Sequence, residues 1–306
     1  MDLLGLPLIF LCYMKMFKCF FILYFSIICF FTSLGVQAET SLWQVESGAS
    51  VMYIGGTCHI LRQSDYPLPA EFESAYKKSD IIVFETDIDK LSSIEAQQLL
   101  LAKGMYADGT TLDMVLSAEA YSALEKYCDK NGFPLAIFNQ FKPPMVMLTL
   151  LGFELQKLGV NQSGVDVYFY EKAKADGKTI KALESVEEQI EMMTGMADGN
   201  ENNFIFYTIK DLENTADAID SMIDAWKTAN IEELNEICIM EMKAKFPKLY
   251  KSLFIERNIK WLSKIKNYLN TQQKEFLLVG VGHLVGEDGI IEQLKNLGFR
   301  VQKYSY

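Results

Sequence analysis

Histidine is scarce in this chain: only two of its 306 residues are histidine, His59 and His283. A metal centre built from three histidines of one chain is therefore excluded. No C-x-x-C occurs, which removes zinc knuckles and thioredoxin-like redox sites. Of six cysteines, Cys12, Cys19 and Cys29 fall in an apolar N-terminal stretch, leaving Cys58, Cys128 and Cys238. Those three are no disulfide framework, and one bridge would leave an odd thiol. Cys58 adjoins His59 and reads as a buried, inert thiol. Basic clusters with interleaved aromatics are also missing, and the formal net charge is −11, so nucleic acid is not an expected partner. No linker rich in proline, glycine or serine divides the chain, and no low-complexity tract is present.

Half of the residues are hydrophobic, which is enough for a sizeable core. Residues 1–38 have the order of a secretory signal. Lys15 and Lys18 precede an apolar run over 19–31, and Val36-Gln37-Ala38 matches a small-residue cleavage pattern. The apolar stretch before Met14 does not fit such a signal, which suggests a start at Met14 or Met16. The competing expectation is an uncleaved anchor, because residues 19–36 are nearly long enough to span a bilayer. Either way the chain is expected to be exported, to the periplasm or the outside, with residues 39–306 as its single domain.

Hydrophobic patterning in that domain predicts strands over 51–55 and 80–84 with a helix over 67–78 between them, and hence a parallel pairing. Residues 51–55 should end at a glycine pair that turns the chain sharply. Helices are expected over 92–103, 117–131, 143–159 and 164–175, then a strand over 179–183. Ser185 and Glu188 form a capping box that opens the next helix. Long amphipathic stretches cover 203–228, 230–244 and 248–269. A strand over 276–281, a helix over 288–297 and a strand over 299–304 close the chain. These elements predict an α/β (α+β) fold: a central mixed sheet flanked by helices, with a large helical insertion between the N- and C-terminal strand units.

Both histidines occupy one local context. An apolar run meets glycine, and histidine follows, in Gly56-Thr-Cys-His59 and in Gly280-Val-Gly282-His283. Ligands of open α/β sheets collect beyond the carboxyl ends of strands. His59, His283 and Glu85, in I-I-V-F-E-T-D, all fall just past such ends. Neighbouring strands would bring them together, with Gly56, Gly280 and Gly282 leaving room for a ligand or metal. Two imidazoles and a carboxylate can hold zinc, manganese or iron with an open position. They can equally act without metal, with a histidine or Glu85 as base on a water. Glu85 also reads as an ordinary solvated strand end. Asp87 would share its face if the strand continued, and could then support it.

Four blocks in order resemble the TraB/GumN family, whose Tiki-like and PrgY-like members sit in an erythromycin-esterase-like superfamily. They are I-G-G-T-C-H-I through D-I-I-V-F-E-T-D, then G-V-D-V-Y-F-Y-E-K-A-K-A-D-G-K-T-I-K-A-L-E-S-V-E-E-Q, E-R-N-I-K-W and L-V-G-V-G-H-L-V-G-E-D-G-I-I-E-Q-L-K-N-L-G-F-R-V. The resemblance implies an active site at His59, Glu85 and His283, and a metal-dependent peptidase favouring manganese or cobalt. Glu184, Gln189 and the Arg257-Asn258 pair fall in matching blocks. Arg257 would then anchor a substrate carboxylate, hold Glu85 or Glu184, or form a buried salt bridge. The expected partner is a peptide or small-molecule substrate. The alternatives are a metal-independent esterase on the same residues and a non-catalytic protein that binds a peptide or small ligand. Residues 19–36 would supply any membrane association. Substrate and oligomeric state are not legible.

Overall fold

The computed structural model describes residues 40–160 and 162–305. The expectations for the N-terminal segment, residues 1–38, lie outside the described residues. Among these there are eight strands: β1 (Leu42–Ser47), β2 (Ser50–Thr57), β3 (Ile60–Leu61), β4 (Ile81–Phe84), β5 (Gln162–Ser163), β6 (Thr179–Ala182), β7 (Glu275–Gly280) and β8 (Arg300–Lys303). Six of them form one mixed sheet in the order β6-β4-β7-β2-β1-β8, and β3 pairs with β5 apart from it. The chain is an α/β protein, as the patterning predicts. No helix of the described residues is long and apolar enough to cross a membrane.

The flanking helices are α1 (Ala70–Lys78), α2 (Ile94–Gly104), α3 (Ala118–Lys130), α4 (Pro143–Lys157), α5 (Val165–Ala175), α6 (Val186–Thr194), α7 (Glu201–Glu213), α8 (Thr215–Lys227), α9 (Glu256–Tyr268) and α10 (Ile290–Asn296). Local chemistry sets their starts. The Ser117 hydroxyl accepts from Ala120 N at 3.2 Å and opens α3. Pro143 and Pro144 occupy the first turn of α4, where a missing N–H costs nothing. The Ser185–Glu188 box forms in full: Glu188 N donates to Ser185 Oγ at 3.1 Å and Ser185 N to Glu188 Oε2 at 3.0 Å.

The central strands are buried on both faces, which is why they read as unbroken apolar runs. Alternation sends Ile82, Phe84, Phe276 and Leu278 to one face, where Phe72, Phe169 and Trp226 pack. Ile81, Val83, Leu277 and Val279 go to the other, against Trp261, Ile265 and Ile290. A separate core fills the helical insertion around Leu112, Leu124, Phe138, Val146 and Ile205.

Several expectations are corrected. The strands over 51–55 and 80–84 run parallel but do not touch, because β7 lies between them. A pairing across that sequence distance leaves no local trace. β2 continues through Gly55 and Gly56 to Thr57, so the glycine pair is strand interior and not a turn. What it provides is closeness: a Cβ on Gly56 would stand 2.7 Å from Val281 Cγ2, and one on Gly55 2.8 Å from Phe72 Cε1. The stretch 203–228 is two helices broken at Asn214, whose Nδ2 donates back to Lys210 O. β1 is unanticipated, although Leu42 and Val45 are fully buried. Two π-helical turns, Glu236–Met240 and Lys251–Ile255, interrupt the late amphipathic stretches, and both lie next to the site described below.

Candidate active site

Four strands, β6, β4, β7 and β2, are parallel, so their carboxyl ends share one edge of the sheet. Their register levels that edge: Thr57 pairs with Gly280, and Phe84 with both Leu278 and Ala182. Each strand delivers one candidate side chain just beyond its end. Glu85 follows β4 directly, Glu184 lies two residues past β6 and His59 two past β2. A short 3₁₀ turn, Val281–His283, carries His283 after β7.

Three of them meet above Gly280. A Cβ placed on Gly280 would lie 3.1 Å from His59 Nε2, 3.3 Å from Glu85 Oε1 and 3.8 Å from His283 Cδ2. Backbone torsions at Gly280 (φ −49, ψ 132) suit any residue. The glycine is therefore needed for space at the site and not for conformation. Its N–H donates to Glu85 Oε1 at 2.7 Å.

Arg257, in the first turn of α9, ties the buried half of the site together. Its Nε and Nη2 grip Glu184 bidentately at 3.0 and 2.7 Å, and Nη2 also donates to Glu85 Oε2 at 2.8 Å. Nη1 reaches His283 Nε2 at 2.9 Å and Leu253 O at 3.3 Å. The guanidinium also stacks 4.5 Å from the Trp261 ring. Burial works against the charged form of Glu85. With the His283 ring neutral, the Arg257 guanidinium, the protonated His59 ring and the Gly280 N–H outweigh it and bring the carboxyl down to about 2. For Glu184, burial dominates and raises the carboxyl above its ordinary value, with Arg257 opposing.

His283 is enclosed, with 4% of its surface exposed, between the rings of Phe254 and Trp261 at 4.9 and 4.4 Å. Asn258 Nδ2 donates to two carbonyls, Asp288 O at 2.9 Å and His283 O at 3.3 Å, so its Oδ1 is the atom that faces His283 Nδ1 at 2.7 Å. An amide oxygen only accepts, so Nδ1 carries the proton. A guanidinium only donates, so Nε2 is the acceptor for Arg257. Both ring nitrogens are thus engaged. Desolvation, and then the facing Arg257, push the His283 pKa down to about 3, consistent with a neutral ring.

His59 differs. Its side chain is 55% exposed, its Nδ1 lies 3.2 Å from Asp166 Oδ2, and its Nε2 faces the Gly280 space. Desolvation alone would lower its pKa. The Asp166 charge and hydrogen bond, then Glu85, overcome that and raise it to about 9. Asp166 arrives on the first turn of α5, whose Val165 N donates to Cys58 O at 3.1 Å. This approach demands Gly164, where a Cβ would stand 2.6 Å from His59 Cα.

A cavity of about 60 Å³ opens beside His59 and Glu85, lined also by Thr57, Thr86, Asp166 and Gln189. Four buried polar atoms without a hydrogen-bond partner among the described residues lie on those walls: Thr57 Oγ1, Thr86 Oγ1, Asp166 Oδ1 and Gln189 Oε1. Native proteins leave few such atoms, so their gathering here makes this cavity a candidate site for a polar ligand. A larger cleft, of about 640 Å³, shares Thr86 with this cavity and is lined by Lys90, Glu95, Lys181, Glu184 and Glu187, among others.

His59, Glu85 and His283 therefore come together, and Glu184 and Arg257 join them. Arg257 holds both Glu85 and Glu184. Asp87 does not share the Glu85 face, because β4 ends at Phe84 and the alternation stops there. It caps the short helix Ile88–Leu91 instead, accepting from Lys90 N at 3.1 Å and Tyr170 OH at 2.8 Å. Gly282 makes room for Phe254, whose Cε1 would lie 2.9 Å from an added Cβ. Cys58 is buried, as expected; burial raises its thiol to about 11, and it donates to Ile60 O. Asp166, Thr57 and Thr86 were not singled out from sequence. Only Asp166 leaves a readable signal, as an acid in the first turn of a helix that opens at glycine.

No three His, Cys, Asp or Glu side chains among the described residues form a ready metal cage. The reason is visible: the Arg257 cation already engages His283 and one oxygen of Glu85. His59 Nε2 and Glu85 Oε1 remain directed into the Gly280 space, next to the unpartnered oxygens. One imidazole and several hard oxygens suit a divalent ion that keeps some of its waters.

The sequence profile of the TraB/PrgY/gumN family matches residues 41–303. The metalloprotease TIKI1 of Xenopus tropicalis is 25% identical over 322 aligned residues, covering 87% of this chain and 61% of that protein. The metalloprotease TIKI homolog of Amphimedon queenslandica is 23% identical, with 86% of this chain and 61% of that protein covered. YbaP, an uncharacterized protein of Escherichia coli (strain K12), is 23% identical over 241 residues, 78% of this chain and 86% of its own length. The chain thus spans less than two thirds of the TIKI proteins it matches. No solved structure matches.

Proposed function

Because the chain belongs to the TraB/PrgY/gumN family, we propose that it is an exported hydrolase, a peptidase that depends on a divalent cation. The observation that carries this reading is the meeting of His59 Nε2 and Glu85 Oε1 over Gly280, beside a cavity of unpartnered oxygens. Relatives named metalloproteases support the peptidase class.

His59 and Glu85 would hold the cation, with manganese, cobalt or zinc as candidates. When bound, such an ion polarises a carbonyl and makes a water more acidic. The chain's own groups do the rest. Asp166 orients the His59 ring and strengthens its basicity. Arg257 and the Gly280 N–H keep Glu85 ionised, which suits it to hold a cation or accept a hydrogen bond rather than to take a proton. Thr57 and Thr86 offer hydroxyls to an oxygen in the small cavity. The larger cleft, with lysines and carboxylates mixed, would take the flanking part of a peptide or small-molecule substrate. Export rests on the signal-like order of residues 1–38.

The test is cleavage of a peptide library by the purified mature protein. Chelation should abolish turnover, Mn²⁺ or Co²⁺ should restore it, and His59→Ala should stay inactive. Ester or peptide turnover indifferent to chelator would point to metal-free hydrolysis. Binding without turnover would make the protein a ligand-binding module. Either result overturns the proposal.

A further inference from the structure

The two G-x-x-H motifs look equivalent in sequence, but their histidines are wired differently. We infer that they have unequal roles: His59 meets the bound ligand, whereas His283 is a positioning residue that locks Arg257 and, through it, Glu85 and Glu184. The inference deepens the proposed function and rests on it only for the identity of the ligand at His59.

The hydrogen-bond partners of the two rings differ. The Asn258 amide orientation is fixed by its two carbonyl acceptors, and this fixes His283 as the Nδ1–H tautomer. Its one lone pair, on Nε2, accepts from Arg257 Nη1 at 2.9 Å. The ring is held between Phe254 and Trp261, so it cannot swing to present another atom. A guanidinium beside Nε2 excludes a second cation from that lone pair by charge as well as by space. His59 has the opposite wiring: its Nδ1 is tied to Asp166, and its Nε2 looks into the open space. Without an acceptor at His283 Nε2, Nη1 keeps only Leu253 O. The fork that aligns Nη2 between Glu85 and Glu184 then loses its third anchor.

A chain with two histidines gives a direct test. Protein labelled with ¹⁵N-histidine yields two ring patterns, recorded with and without Zn²⁺ as a diamagnetic probe. We expect His283 as the Nδ1–H tautomer in both states and only the His59 Nε2 signal to move with Zn²⁺. Movement of the His283 Nε2 signal into the ligand range, or an Nε2–H tautomer in the free protein, overturns the inference. If Zn²⁺ moves neither ring, the cation part of the proposed function fails, and the His283 tautomer still decides this inference.

Conservative variants add a second readout. His283→Gln can place an acceptor where Nε2 stood, whereas His283→Asn reaches only to the Nδ1 position. In the wild type and in His283→Gln the Arg257 guanidinium protons should be protected from exchange, and in His283→Asn they should not. Zn²⁺ affinity should stay within about 3-fold in His283→Gln and fall about 10–100-fold in His283→Asn, the usual size of an outer-shell loss. Equal collapse of Zn²⁺ affinity in both variants, with Arg257 still protected, would make His283 a ligand and overturn the inference.

Discussion

Asp166 Oδ2 lies 3.2 Å from His59 Nδ1, so the first turn of α5 is fastened to the carboxyl end of β2. This contact leaves Nε2 of the same ring directed into the site, and it makes that nitrogen more basic. The His59 pKa, near 9 in place of 6.5, keeps the ring protonated at neutral pH until a ligand displaces the proton.

Cation binding should therefore release a proton. At pH 7.5, uptake of Mn²⁺ should free about one proton, because the imidazole must be neutral to ligate. Release should decline to nothing as pH rises past about 9. Asp166→Asn keeps the side-chain size and removes the charge, so release at pH 7.5 should largely vanish. Affinity should drop by about 10–100-fold. Calorimetry in buffers of different ionisation enthalpy measures both. Unchanged proton release in Asp166→Asn would refute the role given to Asp166.

Two glycines should separate function from stability. Gly280→Ala places a methyl 3.1 Å from His59 Nε2 and 3.3 Å from Glu85 Oε1, at a backbone conformation alanine accepts. Turnover and cation affinity should be lost with only a small change in thermal stability. Gly56→Ala drives a methyl into Val281, 2.7 Å from Cγ2 and 3.2 Å from Cα, where the neighbour is held by its own backbone. It should cost about 1–3 kcal/mol of stability. Urea melts of both variants beside a peptide-cleavage assay decide the matter.

Much of this arrangement could be read from the sequence, and the reason lies in β2, β4 and β7. Each carries an apolar run, over 51–54, 81–84 and 276–279, and the chain's two histidines and Glu85 stand just beyond those runs. The order of those strands was not readable, because β7 inserts between β2 and β4 from the far end of the chain. Nor was the inequality of the two histidines. It depends on Asn258 and Arg257, whose side chains meet His283 only after α9 docks against the sheet. Asp87 would share the Glu85 face only if the strand ran on, and no local signal marks that β4 ends at Phe84 and a helix opens at Ile88.

Glu85 should make stability pH-dependent in a defined window. Its carboxyl is lowered from 4.5 to about 2 in the folded state. A lowered carboxyl adds stability above its unfolded value, and the gain is lost as pH falls through the folded one. The stability difference between wild type and Glu85→Gln should therefore be constant above pH 5 and shrink between about pH 4.5 and 2. Chemical denaturation at several pH values tests this, and a difference that grows on acidification would contradict the assignment.

Arg257 should be costly to remove. Its guanidinium is set between two buried carboxylates, Glu85 and Glu184, and it also donates to His283. Arg257→Leu would leave both carboxylates without their partner in a buried setting. Breaking such a pair costs about 3–5 kcal/mol, because the charge left behind stays desolvated. Arg257→Lys keeps the charge but not the fork, so it should recover part of the stability and little of the turnover. The double variant Arg257→Leu with Glu184→Gln should be more stable than Arg257→Leu alone, since one stranded charge is gone. Urea denaturation of the three variants reads this out. Additive losses in the double variant would mean that Arg257 and Glu184 do not act as a pair.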